Sequence, residues 1–176
     1  VHPISDPFLV IATQNPVDQE GTYPLSEAQT DRFMLKEVLR YLSPDDEVEV
    51  IAHMDAGIYV RSEKPPPVVT LDEIVRLQHI VRNVHMEPVL IRYASQLVHV
   101  TRNPKQFLPP DQARLVQYGA SLRATIAFCR SARALAVLSG RNHVIPDEIR
   151  KLVHRVLRHR LILGFEAATV DVTPEW

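Results

Sequence analysis

Glycine is scarce in this chain: five in 176 residues, none followed by lysine. That excludes a Gly-rich phosphate loop, which needs that order to cradle phosphates with backbone amides and a lysine. Cysteine is scarcer. The single Cys129 excludes an internal disulfide framework, and its Ala-rich apolar surroundings suit a buried, inert thiol. No apolar run approaches the roughly 20 residues that span a bilayer, and no charged-apolar-small pattern opens the chain. Net charge is −1, so there is no bulk pull toward nucleic acid or membrane. The eight histidines are scattered, no pair of them joins a cysteine or an acid at metal-ligand spacing, and His154 and His159 miss the spacing of one helix face. No metal site is expected, and no paired catalytic carboxylates or Ser/His/Asp order stand out. The chain reads as a soluble protein of a reducing compartment, the cytoplasm. It begins at Val1 without methionine and reads as a fragment of something longer.

What is present is unevenly distributed. Hydrophobic residues make up 45%, enough for a packed core. Residues 1–60 hold eleven acids against three Lys/Arg, whereas 61–176 hold ten against seventeen. The change coincides with Pro65-Pro66-Pro67, a stiff connector. This predicts two regions: 1–60, then a Pro-rich connector over 61–69 and a helical region over 70–162, with 163–176 as a loose tail.

Phe8-Leu9-Val10-Ile11-Ala12 is short, apolar and bounded by prolines, which predicts a buried strand. Ser26 with Gln29 forms a capping box for a short helix from Glu27. Phe33–Leu39 reads as a second strand. Ser43-Pro44-Asp45-Asp46 starts a helix that runs to about His53. Thr70 with Glu73 caps another, striped by Leu71, Ile74, Val75, Gln78 and Val81. Further helices are predicted from Pro88 to Val100, from Leu122 to Leu138 and from Pro146 to Leu161, with 103–117 irregular. The Leu122 helix is apolar or Ala on most sides, which places it at the centre of a bundle. Gly140 is its stop.

Three residues could carry chemistry. Asn15 ends the Phe8 strand. An amide there can orient water and contact a phosphate, since it both donates and accepts; it can equally form a turn with Pro16. Arg32 can stabilise charge developing on a phosphate, or simply pair with Asp31 or Glu27. Arg123 sits in a helix first turn, where the dipole disfavours a cation; an anionic ligand would explain it, as would a side chain that snorkels outward or pairs with an acid. Val68-Val69-Thr70-Leu71-Asp72-Glu73 superficially matches a Mg²⁺-holding strand, but its acids complement the dipole of a capped helix. The acid-free run Arg150, Lys151, Arg155, Arg158, Arg160 lacks stacking aromatics and reads as a solvated helix face.

Ala12-Thr13-Gln14-Asn15-Pro16, Gly21-Thr22-Tyr23-Pro24-Leu25-Ser26-Glu27-Ala28-Gln29-Thr30-Asp31-Arg32-Phe33 and Gly119-Ala120-Ser121-Leu122-Arg123-Ala124 together resemble the MoxR family of AAA+ ATPases. Asn142-His143-Val144-Ile145-Pro146-Asp147-Glu148 and Val156-Leu157-Arg158-His159-Arg160-Leu161 are similar to the family's lid. The family usually has Pro where this chain has Leu122. The resemblance implies a mainly α chain: an α/β remnant that is the C-terminal part of an AAA+ core, then an α-helical lid. It implies that Asn15 is the sensor-1 residue, Arg32 a trans-acting arginine finger and Arg123 the sensor-2 arginine that contacts the nucleotide. Arg40 and Arg61 are rival fingers. It further implies ATP and Mg²⁺ in a full-length protein, a hexameric ring, and remodelling or activation of partner proteins. Those partners include von Willebrand-A-type proteins, and some members assist cofactor or metal insertion. The Walker A loop and Walker B acids are absent from this sequence, so the chain alone is expected to be inactive; without most of the core sheet, the exposed flanks of the Phe8 strand and apolar surface favour self-association. The rival readings are a non-catalytic helical adaptor and, ranked lower, a nucleic-acid-binding module.

Overall fold

Local helix signals decide most of the architecture. The computed structural model describes residues 7–14, 25–58 and 66–174. Along them run α1 (Glu27–Thr30), α2 (Pro44–Asp55), α3 (Leu71–Asn83), α4 (Pro88–Arg102), α5 (Pro104–Phe107) and α6 (Pro110–Ala113). Then come β1 (Val116–Tyr118), α7 (Leu122–Leu138), α8 (Pro146–Leu157), β2 (Ile162–Leu163) and α9 (Phe165–Thr169). The fold is mainly α. The capping boxes at Ser26, Ser43 and Thr70 all form, each worth about 1 kcal/mol. Proline occupies the first turn of α2, α4 and α8, where its missing N–H leaves nothing unsatisfied.

The core belongs to α4, α7 and α8. Phe128, Ile149, Val156, Val98 and Ala94 are fully buried or within 1% of it, as are Ala124, Ala132 and Ala136 along α7. The alanines let α3, α4 and α8 approach α7 closely, and Phe128 fills the space between. Burying each of the larger side chains contributes roughly 1.5–3 kcal/mol. Gly140 takes φ +73° just past α7, the left-handed turn that glycine adopts without penalty. The loop then bridges to the start of α4, with His85 N–H donating to Asn142 O at 3.0 Å and Val144 N–H to His85 O at 2.9 Å. Arg141 pairs with the buried Glu148 carboxylate, which also accepts Ile145 N–H at 2.7 Å and so caps α8.

Neither predicted N-terminal strand forms among the described residues. Phe8–Ile11 lie exposed, Leu9 at 81%. A strand exists only through its neighbours, and none of the described residues pairs with these. Residues 33–39 form no strand either. Their polar groups turn to the lid, where Lys36 N–H donates to Arg155 O at 2.9 Å. The predicted tail also differs. β2 pairs antiparallel with β1, Val116 opposite Leu163, and α9 follows, burying Ala167 to 2% exposure. The predicted irregular stretch 103–117 holds α5, α6 and the start of β1.

Candidate functional site

The end of α4 sets the start of α7. Gly119 lies so close to α4 that a Cβ there would sit 2.3 Å from Thr101 O. Ala120 N–H donates to Thr101 Oγ1 at 3.0 Å, and Arg102 Nε donates to Ala120 O at 2.7 Å. Ser121 is thereby held in the N-cap position, where its Oγ accepts Arg123 N–H at 3.1 Å. The run Gly119-Ala120-Ser121 thus aims the first turn of α7 at one point.

That point is the Asp31 carboxylate, at the C-terminal cap of α1. Ser121 Oγ donates to it at 2.9 and 3.1 Å. Arg123 Nη1 reaches Oδ2 at 3.1 Å, and Arg160 Nε reaches Oδ1 at 3.0 Å. Burial works to raise the Asp31 pKa. The bonds from Ser121 and Arg123, with the charge and bond of Arg160, outweigh it and hold the carboxyl below its ordinary value.

Arg160 is the deepest charge of the group. Its side chain is 2% exposed, against 18% for Asp31 and 56% for Arg123. A guanidinium has five N–H donors, and here every one is used. Nε takes Asp31 Oδ1. Nη1 takes Met34 O at 3.3 Å and Val156 O at 2.5 Å. Nη2 takes Asp31 O at 3.2 Å and Phe33 O. Val156 O belongs to the last turn of α8, where the helix dipole also favours a cation. His159 Nε2 adds a bond to Phe33 O at 3.1 Å. Burial, reinforced by the charges of Arg160 and Lys36, depresses the His159 pKa to about 4.

Of the sequence-predicted residues, Asn15 lies outside the described residues, as does Arg61. Arg32 is exposed on the turn after α1. Asp31, one of the acids that could have paired with it, is taken by Ser121, Arg123 and Arg160. Arg123 is where the sequence put it, in the first turn of α7, and its acidic neighbour is Asp31. The structure therefore brings Arg123 to the residue next to Arg32. The basic run of α8 is largely paired: Arg150 and Lys151 with Asp147, Arg155 with Glu37 at 2.7 Å. That leaves little free charge for nucleic acid.

Sequence reasoning missed Arg160 and the role of Asp31. Arg160 was placed on a solvated face, yet it stands four residues after Val156 and eight after Leu152, in line with the apolar stripe of α8. That spacing was the available signal. Among the described residues, no three His, Cys, Asp or Glu side chains gather to hold a metal ion, and no helix is long and apolar enough to cross a membrane.

Two family models match the chain. The AAA lid domain covers residues 111–175, and the ATPase family associated with various cellular activities covers residues 1–35. The chain is 39% identical over 173 residues to "Chaperone MoxR1" of Mycobacterium tuberculosis, covering 98% of this chain and 45% of that protein. It is 29% identical over 172 residues to "Protein MoxR" of Paracoccus denitrificans, covering 88% and 48%. A crystal structure of a "putative ATPase" from Cytophaga hutchinsonii superposes with a TM-score of 0.87 at 36% identity. It covers 99% of this chain and 52% of that one. The chain thus spans about half the length of the curated relatives it matches.

Proposed function

We propose that this chain, which belongs to the MoxR family of AAA+ ATPases, supplies the sensing and lid half of a cytoplasmic ATP-hydrolysing ring that remodels partner proteins. In this reading residues 1–60 are core and 70–162 are lid. Arg123 answers to the nucleotide bound by its own subunit, Asn15 orients the attacking water, and Arg32 reaches the nucleotide of a neighbour. ATP with Mg²⁺ supplies the transferable phosphoryl group.

The observation that carries the reading is the convergence at Asp31. Ser121, Arg123 and Arg160 aim their donors at one anion, and Arg123 keeps a half-exposed guanidinium beside it. The Arg123 guanidinium suits a phosphate oxygen once it turns outward. Arg32, next in sequence, stays exposed and its neighbouring carboxylate is engaged elsewhere, which suits a residue that acts on another subunit. The partner proteins we expect are of the von Willebrand-A type, and the ring is a hexamer. "Chaperone" in the name of the Mycobacterium relative supports a remodelling role.

The test is ATP turnover in the full-length protein that carries this chain. Asn15→Ala and Arg32→Ala should each lower kcat by about 10³-fold or more, as finger-type systems do. Mixing the two inactive proteins should restore part of the activity, because some interfaces then pair an intact pocket with an intact finger. Full turnover in both single variants would leave the adaptor reading in front.

A further inference from the structure

We propose that Arg160 is the positioning residue for Arg32: from the end of the lid helix it fixes the turn that presents Arg32 to the neighbouring subunit. This rests on the finger role given to Arg32 above.

The argument is geometric. Arg32 hangs on a short turn, and its own backbone holds that turn weakly: α1 has four residues, none of them buried. The main hydrophobic cluster of the described residues runs from Val84 to Leu157 and does not include this turn, although Phe33 is half-buried. Ser121, Arg123 and His159 add bonds from the lid, and the largest share comes from Arg160. Four of that guanidinium's five donors go to the residues on either side of Arg32: to the side chain and carbonyl of Asp31, and to the carbonyls of Phe33 and Met34. The fifth goes to Val156 O, in α8. Arg160 is therefore a rigid, buried link between the lid and both flanks of Arg32, and Arg32 itself is skipped. A planar fork fills this role; a lysine ammonium, a point charge with three donors, would not span these acceptors.

The link also joins two functional residues of one subunit. Arg123 holds the second oxygen of the Asp31 carboxylate that Arg160 holds by the first. A nucleotide that drew Arg123 away would leave Asp31 to Arg160 and Ser121 alone. The turn carrying Arg32 would stay docked, because the Asp31–Arg160 ion pair remains, supported by three further bonds from Arg160 to backbone carbonyls.

The experiment uses the full-length protein and a double-mutant cycle in ATP turnover: wild type, Arg160→Met, Arg32→Ala and the double variant. Displacing a catalytic group by an ångström costs about 10²-fold, so Arg160→Met should lower kcat by about that factor. KM for ATP should stay within about twofold, as expected when only a transition-state contact is lost. The double variant should be no slower than Arg32→Ala alone. Arg160→Met subunits mixed with Asn15→Ala subunits should recover activity, since the first keep an intact pocket and the second an intact finger. Arg160→Lys should fall between wild type and Arg160→Met. If Arg160→Met fails to fold by circular dichroism, Arg160→Lys is carried through the same cycle.

A merely structural Arg160 predicts multiplied losses in the double variant and no recovery on mixing; either result overturns the proposal while leaving the finger assignment standing. Full turnover in Arg32→Ala overturns the finger assignment, and this proposal with it.

Discussion

Removing the Asp31 carboxylate should release residues 31–37 from the lid while leaving the lid folded. Asp31→Ala removes the carboxylate paired with a guanidinium whose side chain is 2% exposed. Breaking such a buried pair costs about 3–5 kcal/mol. The Arg123 pair adds less than about 1 kcal/mol, because Arg123 is half exposed and solvent screens it. At 1.4 kcal/mol per decade, the opening constant of the docked segment should rise by about 10²- to 10⁴-fold. The ceiling is the docking free energy itself, since undocking lets water reach Arg160.

The assay is amide hydrogen exchange on this chain. Lys36 N–H, bonded across to Arg155 O at 2.9 Å, reports docking. Amides beside Phe128 and Ile149, both fully buried, report the lid. The control is Glu37→Ala. It removes an ion pair to Arg155 whose partners are about half exposed, worth at most about 1 kcal/mol. Lys36 should lose its protection in Asp31→Ala and keep most of it in Glu37→Ala, with the lid amides unchanged in both. Acceleration below about tenfold in Asp31→Ala, or equal effects in the two variants, would refute the argument that one buried carboxylate governs docking.

Three further outcomes are expected. His159 has its pKa pushed down to about 4, against about 6.5 when unfolded. The unfolded chain therefore binds that proton first as pH falls, so the His159 contribution is complete above pH 6.5 and is lost toward pH 4. Thermal unfolding should show Tm falling over that window, less steeply in His159→Gln. Gly119→Ala forces a methyl to 2.3 Å from the Thr101 carbonyl, a backbone atom that cannot swing aside; it should destabilise by about 1–3 kcal/mol, read as a lower urea midpoint. Ser131 sits on α7 at 7% exposure with its hydroxyl buried and unpartnered. Ser131→Ala removes an unmet desolvation cost of about 1–3 kcal/mol and should leave Tm unchanged or raise it.

Local signals along the chain specify the helices. Capping pairs such as Ser26 with Gln29 and Thr70 with Glu73, prolines at first turns and the stripe Ile149, Leu152, Val156 act over three or four residues, so they can be read without knowing the fold. The same local reading located α7 as the central helix, Gly140 as its stop, and Arg123 in its first turn. Tertiary structure decided everything that rests on partners far along the chain. Phe8–Ile11 has the composition of a strand but no neighbour among the described residues to pair with. Residues 162–163, read as tail, find β1. Above all, Asp31 meets Arg160, 129 residues away, instead of the adjacent Arg32. Asp31 pairs with the guanidinium that the fold brings within reach and aligns, and the packing of α8 against α7 puts Arg160 there. Charge pairs are set by where helices end in space, and spacing along one helix carries no record of that.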